Sequence, residues 1–248
     1  MSRASDKHRT LVIDIDQCMA NAFILHPCDS VLTLAMLPEN LKHRHRLITT
    51  CIRDADDPLG YDFAAVKRPG LDAFLRFCET YFDCIIVWTA ADCEYGHSMV
   101  REIYRDHRRP DLILTRDDVE RYDEDGDMIS FKPLRVINAM RPGMIDLSWT
   151  FILDDTYTNF REDPGNALHI PQFMPDIEDP FAGDDRCFLH LMEWLQRDEV
   201  RNAPDVRRLD KSSIFSSCAH IAQCARCASA QQTSVPLKHH MVFSTPGL

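Results

Sequence analysis

The stretch Thr10-Leu-Val-Ile-Asp-Ile-Asp16 carries the strongest fold signal in this sequence. It begins with a short apolar, mostly β-branched run, predicted as a strand over Thr10–Ile15, and such runs are typical of strands buried on both faces of a parallel sheet. Side chains two residues apart in an extended segment point the same way, so Asp14 and Asp16 are predicted to face one site.

Three later runs have the same character and are also predicted as strands: Cys84–Trp88, Asp111–Thr115 and Trp149–Leu153. Each run ends in or just before an Asp or Thr. Because ligands bind at the carboxyl ends of strands in open parallel sheets, we expect these polar residues to converge on one crevice.

Helical patterns lie between the runs. Apolar residues recur at i, i+3, i+4 and i+7 in Leu71–Phe82, which follows the Pro69-Gly70 break. Tyr95–Arg105 and Pro133–Met140 are further helix candidates. Alternating strands and helices predict an α/β fold, in which helices flank a Rossmann-like parallel sheet.

Two segments interrupt this alternation as small β-hairpin inserts. Leu47–Ile52 and Tyr61–Val66 flank a turn-like segment, Asp54–Gly60. Arg116–Phe131 contains a second turn signal at Asp125-Gly126. The inserts are either caps that select a substrate or surface structure without a role, and the pattern leaves both possibilities open.

Composition limits the class of protein. The 248 residues are 45% hydrophobic and 27% charged, as in ordinary globular proteins. The net charge of −11 disfavours binding to nucleic acid or to an anionic membrane, and fits a basic partner or a site for metal cations. Residues 1–9 lack the apolar centre of a secretory signal, and no run reaches the ~20 apolar residues of a membrane span. We therefore expect a soluble, intracellular protein.

Ten cysteines are scattered without a compact spacing, which favours free, largely buried thiols in a reducing compartment. The last part of the chain, 211–248, has little apolar periodicity and is predicted to be a mostly disordered tail. Within it, Cys224-x-x-Cys227 has the spacing of a zinc knuckle, which Cys218, His220 and either His239 or His240 would complete. A flexible tail is the favoured interpretation.

The acid pair at the end of the first run suggests a magnesium site. Two neighbouring carboxylates repel each other, and ionising both needs a cation or a network of hydrogen bonds. Mg²⁺ prefers carboxylate oxygens, water and substrate phosphate. Asp14 could then attack phosphorus, and Asp16 could protonate the leaving oxygen and later deprotonate water. Two exposed acids at a strand end are the alternative interpretation.

Three further features strengthen the catalytic hypothesis. Thr89 could hold a phosphate oxygen, Lys132 could stabilise the transferring phosphoryl group, and Asp154-Asp155 could complete the metal site. Taken singly, Thr89 could instead cap the next helix, Lys132 could be a solvated lysine, and the two acids could lie on the surface. Their order along the chain, each at a strand end or a helix start, favours a single site.

Together these stretches resemble the haloacid dehalogenase superfamily, specifically the phosphatases that act on the C-terminal domain of RNA polymerase II (small CTD phosphatase and NLI-interacting-factor-like proteins). The resemblance covers residues 9–197, and the matching stretches are Leu11–Asp16, Val66–Pro69 with Leu71 and Phe74-Leu75, Val87–Ala90 with Glu94-Tyr95, Leu114–Asp117, Lys132–Leu134, Phe151–Asp155, Asn166–Pro171 and the closing Phe188–Leu195 helix.

The resemblance implies a Rossmann-like phosphatase domain over 9–197, with a C-terminal extension over 198–248 that is predicted to be flexible. It implies Mg²⁺-dependent hydrolysis of phosphoserine or phosphothreonine in proteins, in the nucleus or cytoplasm, with the insert at 116–131 gripping the peptide. Neither a nucleic acid nor a membrane is an expected partner, and no oligomeric state is predicted.

The implied roles fall on six residues. Asp14 would be the nucleophile and Asp16 the general acid/base, which also lends its backbone carbonyl to the metal. Asp14 and Asp155 would be side-chain metal ligands, Thr89 and Lys132 would bind the phosphoryl group, and Asp154 would orient Lys132 or a metal-bound water.

The nucleophile loop departs from the family pattern at two positions. Cys18 stands where the family usually has Thr, and Gln17 replaces a usual acid. A thiol donates hydrogen bonds more weakly than a hydroxyl, so reduced turnover is expected. Two alternatives therefore remain: a peptide-binding module without turnover, as in a mitochondrial translocase subunit that resembles the family, and a phosphatase of small phosphate esters.

Overall fold

A computed structural model describes residues 8–24, 45–52, 61–124, 127–175, 185–216 and 218. The strands in chain order are β1 (Thr10–Ile13), β2 (Ala20–Ile24), β3 (Leu47–Ile52), β4 (Tyr61–Lys67), β5 (Cys84–Trp88), β6 (Leu112–Leu114), β7 (Glu120–Glu124), β8 (Asp127–Phe131), β9 (Thr150–Asp154) and β10 (Ala167–His169). The α-helices are α1 (Leu71–Tyr81), α2 (Cys93–Ile103), α3 (Arg135–Met140), α4 (Cys187–Leu195) and α5 (Asp198–Arg201).

Five parallel strands form the central sheet in the order β10-β9-β1-β5-β6. This confirms the predicted α/β fold and all four predicted strands. Ile13 at the end of β1 pairs with Val87 on one side and Leu153 on the other. The sheet has one strand more than the sequence predicted, because the three-residue edge strand β10 is too short to show a hydrophobic period.

Both faces of the sheet are covered, which explains the continuous apolar run of β1. Leu11 and Ile13 pack in one core cluster, and Val12 packs in the cluster on the opposite face. Helix α1 buries Leu71, Phe74, Leu75 and Cys78, the face that its spacing predicted. Each large apolar side chain buried in this way contributes roughly 1.5–3 kcal/mol.

The inserts form two small antiparallel sheets. One has the order β2-β4-β3, and the other pairs β7 with β8. Both predicted hairpins are confirmed, although β2 joins the first as a strand that the sequence did not predict, and Arg116–Asp118 forms a 3-10 turn before the second. The predicted turns at Asp54–Gly60 and Asp125-Gly126 lie outside the described residues.

The chain remains packed against the domain after residue 197. Val200, Val206, Ile214 and Cys218 are buried in the same core cluster as α1 and α4. The boundary at 197 and the flexible tail stay predictions, since 219–248 lies outside the described part of the chain. The same holds for the zinc hypothesis, of whose residues only Cys218 is described.

The seven described cysteines are all free thiols. In the described part of the chain, none of the helices has the length and apolar character that crossing a bilayer would require.

Candidate functional site

The site lies where β1, β5 and β9 end, at one edge of the central sheet. Asp14 directly follows β1, and its backbone N–H donates to the carbonyl of Leu153 over 3.0 Å. Thr89 directly follows β5, and its N–H donates to the carbonyl of Leu114 over 3.0 Å. The sheet ladder thus continues past the strand ends and fixes the backbone at both positions.

Lys132 enters this edge from the segment between β8 and α3. Its Nζ lies 2.6 Å from Asp14 Oδ1 and 2.6 Å from Asp154 Oδ2, so the ammonium group bridges the ends of β1 and β9. The lysine side chain is only 2% exposed. The alternative interpretation of Lys132 as a solvated surface lysine is therefore wrong.

Asp154 is held by several donors. Asn159 Nδ2 donates to both of its carboxylate oxygens, over 2.9 and 2.8 Å, and the Thr156 N–H donates over 2.8 Å. The Lys132 contact adds a fourth bond. With its oxygens satisfied in this way, Asp154 is rigid, and it fixes where Lys132 can lie.

Asp155 adds a third buried carboxylate beside this pair. One carboxylate oxygen from each of Asp14, Asp154 and Asp155 lies within 4.8 Å of the others. The Asp155 backbone carbonyl lies 2.8 Å from Nε2 of His169 in β10. Because all three acids are buried, they are not the surface acids of the alternative interpretation.

Among the described residues, three acids stand against a single lysine, which contacts Asp14 and Asp154. Burial raises the pKa of Asp14 well above its usual range, and the neighbouring carboxylates add to this, whereas Lys132 opposes it. Burial, with Asp154, raises the pKa of Asp155 to about 6. Burial alone would lower the pKa of Lys132, but Asp14 and Asp154 outweigh it and raise that pKa. The lysine therefore stays charged.

Asp16 lies beside this cluster and faces a different set of donors. Its Oδ2 accepts from the Thr89 hydroxyl over 3.3 Å, and its Oδ1 accepts from the hydroxyl of Tyr95 in α2. The Thr89 oxygen in turn accepts from the Ala91 N–H over 3.1 Å. The N-cap of α2 is Asp92, whose carboxylate accepts from the Tyr95 N–H, so Thr89 is not the cap.

The loop between Asp14 and β2 is tightly wound. Gln17 adopts the left-handed region at φ 57°, and its N–H donates to the Ala20 carbonyl over 2.7 Å. Cys18 is buried and its Sγ lies 3.8 Å from the Leu153 carbonyl, a weak contact back to β9. Burial raises the pKa of the Cys18 thiol well above its usual range, so this group stays neutral.

Two residues for which the sequence predicted no role belong to this arrangement. Tyr95 reaches Asp16 across 79 positions of sequence, and Asn159 reaches Asp154 from a 3-10 turn, Tyr157–Phe160. Tyr95 lies in one of the stretches that carry the family resemblance, and this was the only indication in the sequence that it could belong to the site. Nothing in the spacing around Asn159 predicted a contact.

Comparisons with known proteins agree on a family. The sequence model described as "NLI interacting factor-like phosphatase" matches residues 9–207. The CTD nuclear envelope phosphatase 1 homolog of Caenorhabditis elegans is 27% identical over 205 residues, which are 81% of this chain and 70% of that protein.

Two further curated relatives are mitochondrial import inner membrane translocase subunits of the TIM50 type, from Gibberella zeae and Neurospora crassa. They are 28% and 30% identical over 148 residues, which are 59% of this chain. The matched region spans about a quarter of each of these longer proteins, 24% in both cases.

Solved structures show the same fold. A structure of Fcp1, described as an essential RNA polymerase II CTD phosphatase, superposes with a TM-score of 0.54 at 17% identity, over 91% of this chain and 53% of that chain. The structure of fission yeast Fcp1 bound to beryllium fluoride superposes with a TM-score of 0.52 at 18% identity, over 76% of this chain and 52% of that chain.

Proposed function

This chain belongs to the NLI interacting factor-like phosphatase family, and we propose that it hydrolyses phosphoserine or phosphothreonine in proteins with the help of Mg²⁺. The observation that carries the proposal is the position of Lys132, 2.6 Å from both Asp14 and Asp154, with Asp155 beside them. These groups are brought together from three distant parts of the chain.

The donor set fits a hard divalent cation. Asp14, Asp154 and Asp155 offer carboxylate oxygens within 4.8 Å of one another, and their charge exceeds what Lys132 can balance. Mg²⁺ prefers such oxygens together with water and phosphate. Asp14 and Asp155 would hold it by their side chains and Asp16 by its backbone carbonyl. When bound, the ion would neutralise charge on the phosphoryl oxygens.

Asp14 is the nucleophile in this mechanism. Its carboxylate oxygen forms a bond to phosphorus while the bond from phosphorus to the seryl or threonyl oxygen breaks. Asp16, in its protonated form, donates its proton to the departing oxygen. The products of this half-reaction are the free hydroxyl side chain and an aspartyl-phosphate on Asp14.

The second half-reaction reuses Asp16, now as a base. It accepts a proton from a water molecule, whose oxygen attacks phosphorus and releases inorganic phosphate from Asp14. Tyr95 holds the Asp16 carboxyl in place through Oδ1, so it stays aimed at the reacting group. Without substrate the Thr89 hydroxyl donates its single proton to Asp16 Oδ2, and it is proposed to donate to a phosphoryl oxygen instead when phosphate is bound. Thr89 and Lys132 are proposed to bind phosphoryl oxygens, and Lys132 supplies a positive charge that needs no rearrangement.

A protein substrate is favoured by the relatives. The nematode homolog is named a CTD nuclear envelope phosphatase and Fcp1 an RNA polymerase II CTD phosphatase, so a polymerase C-terminal domain is one proposed substrate. The β7–β8 hairpin is proposed to grip the peptide, as the insert at 116–131 does in the family. We also propose that the protein is located in the nucleus or cytoplasm and that neither nucleic acid nor a membrane is its partner.

The second candidate is a peptide-binding module without turnover. It is favoured by the similarity to the translocase subunits and by the weak Cys18 contact at 3.8 Å. Against it, a pure binder has no need of Asp14, Asp16 and Lys132 together. Phosphopeptide binding without release of phosphate would support this candidate.

A phosphatase assay tests the proposal. Phosphopeptides and p-nitrophenyl phosphate are incubated with the protein, with and without Mg²⁺, and released phosphate is measured. We expect Mg²⁺-dependent release that is lost in Asp14→Asn, while full activity in that variant would remove Asp14 from the mechanism. Including small phosphate esters in the panel separates a protein phosphatase from a small-ester phosphatase.

A further inference from the structure

Arg68 is a buried cation outside the group of reacting residues. It follows β4 and precedes the Pro69-Gly70 turn into α1, and it is only 1% exposed. Its guanidinium packs against two aromatic rings, with Cζ 5.7 Å from the centroids of both Phe173 and Phe188. A planar group packed in this way has a fixed orientation.

The guanidinium donates in three directions. Nη1 donates to the carbonyl of Cys18 over 3.2 Å, Nη2 to the carbonyl of Pro171 over 2.7 Å, and Nε to Asp185 Oδ2 over 3.0 Å. Its backbone N–H also donates to the carbonyl of Met19 over 2.9 Å. A lysine has a single nitrogen and cannot reach three acceptors that lie apart, whereas the arginine fork can.

One of these acceptors lies in the loop that follows the proposed nucleophile, and another lies in a segment that contacts Asp155. Cys18 and Met19 lie in the loop that follows Asp14 and Asp16. Pro171 lies in the segment after β10, whose Gln172 side chain hydrogen-bonds to Asp155. A direct bond from the Phe173 N–H to the Gln17 carbonyl, over 2.7 Å, joins the same two segments.

We infer that Arg68 is a positioning residue, which ties the loop behind the nucleophile to the segment beside Asp155 and thereby sets the geometry of the reacting carboxylates. The inference rests on the proposed function. Gln17 holds a left-handed backbone that costs energy for a non-glycine residue, so this loop needs outside support to keep its shape. The Arg68 bonds to Cys18 and Met19 supply that support.

The role differs from that of a simple stabilising ion pair. Asp185 balances the charge of Arg68, whereas the links to the two segments are the bonds from the guanidinium to the carbonyls of Cys18 and Pro171. Removing the carboxylate charge therefore weakens the fold while leaving both carbonyl bonds in place. Removing the guanidinium breaks the link between the two segments.

Four variants separate these effects: Arg68→Ala, Arg68→Lys, Asp185→Asn, and Leu191→Ala as a buried core control. Each is assayed with Mg²⁺ and a phosphopeptide, at a temperature where circular dichroism shows it to be folded. We expect kcat to fall about 10–100-fold in both Arg68 variants with KM within about threefold, since a misplacement of about 1 Å can cost that much. Asp185→Asn and Leu191→Ala should lose stability and keep kcat within about threefold.

The outcomes are distinct. The inference is wrong if a folded Arg68→Lys or Arg68→Ala variant keeps the parent kcat. It is also wrong if kcat falls as much in Leu191→Ala or Asp185→Asn as it does in the Arg68 variants. Arg68→Lys decides the question if Arg68→Ala does not fold. If the parent itself neither releases phosphate nor gains thermal stability from Mg²⁺ with beryllium fluoride, the proposed function fails, and the inference fails with it.

Discussion

Two buried ion clusters lie close together in this protein, and they differ in charge balance. Among the described residues, Arg68 pairs with one carboxylate, that of Asp185, and its Nη1 and Nη2 donate to backbone carbonyls. Around Lys132 there are two carboxylates in contact, with that of Asp155 beside them. Arg68 and Asp185 balance each other, with the charge of Arg46 also acting on Asp185, whereas the second cluster carries excess negative charge.

This difference is expected if the Arg68 cluster is structural and the Lys132 cluster binds a cation, as proposed. Removing one partner of a balanced buried pair costs stability, because an uncompensated charge is left in the interior. In an unbalanced cluster without a cation, burial and the neighbouring carboxylates already disfavour the ionised acids. The raised pKa values of Asp14 and Asp155 indicate this cost. Removing a carboxylate from the Lys132 cluster should therefore raise the free energy of unfolding and abolish the proposed activity.

The largest expected effect comes from the same substitution made in each cluster. Asp14→Asn should lower phosphatase kcat at least about 10³-fold, because it removes the proposed nucleophile. Asp185→Asn should keep kcat within about threefold and lower the free energy of unfolding by about 3–5 kcal/mol. Steady-state kinetics and urea denaturation measure the two effects. Loss of activity in both variants would contradict the proposed difference between the Arg68 cluster and the Lys132 cluster.

The next effect concerns the cation. Asp155→Asn should weaken Mg²⁺ binding at least about tenfold, since it removes a carboxylate ligand. Isothermal titration with Mg²⁺ checks this, and Asp111→Asn, at a partly exposed acid outside the cluster, is the matched control. Unchanged Mg²⁺ affinity in Asp155→Asn would show that the excess charge is not there for a metal.

Stability of the metal-free protein should depend on pH in the sense opposite to that of a salt-bridged acid. The pKa of Asp155 is about 6 in the fold, against 3.8 ordinarily, so between these values the folded state binds more protons than the unfolded state. The contribution of Asp155 to the free energy of unfolding is greatest below pH 3.8. It is lost as the pH rises through 6, and the loss is up to about 3 kcal/mol. Urea denaturation in EDTA from pH 4 to 8 measures it, and Asp155→Asn should flatten the curve.

A smaller effect is expected at Tyr95. Tyr95→Phe removes the hydroxyl that donates to Asp16, and a hydrogen bond to a charged group is worth about 1.5–3 kcal/mol. We expect kcat to fall about 10-fold with little change in KM or in the melting temperature. A parent-like kcat would mean that Thr89 alone orients the Asp16 carboxyl.

The smallest expected effect is at Cys18. Cys18→Thr replaces a weak donor, 3.8 Å from the Leu153 carbonyl, with a stronger one at the position where the family usually has threonine. We expect kcat to rise by up to about threefold. Equal kinetics for the variant and the parent would show that the departure from the family pattern is harmless.

Local patterns predicted much of the fold. The apolar runs gave the four main strands to within a residue or two, and the helical spacing gave the buried face of α1. The strand β2 was missed because it follows the nucleophile loop without a break, and β10 because three residues cannot show a period. The packing of Val200 and Val206 was missed because this segment lacks a regular apolar pattern of its own.

For the site, the sequence by itself determined which acids, hydroxyl and lysine stand at strand ends and helix starts, because parallel strands expose their carboxyl ends along one edge. Only the tertiary structure decided which of them touch, that Tyr95 and Thr89 share Asp16, and that Arg68 joins two loops. Those contacts depend on how distant segments pack, and the resulting charge balance depends on burial, which no local spacing contains.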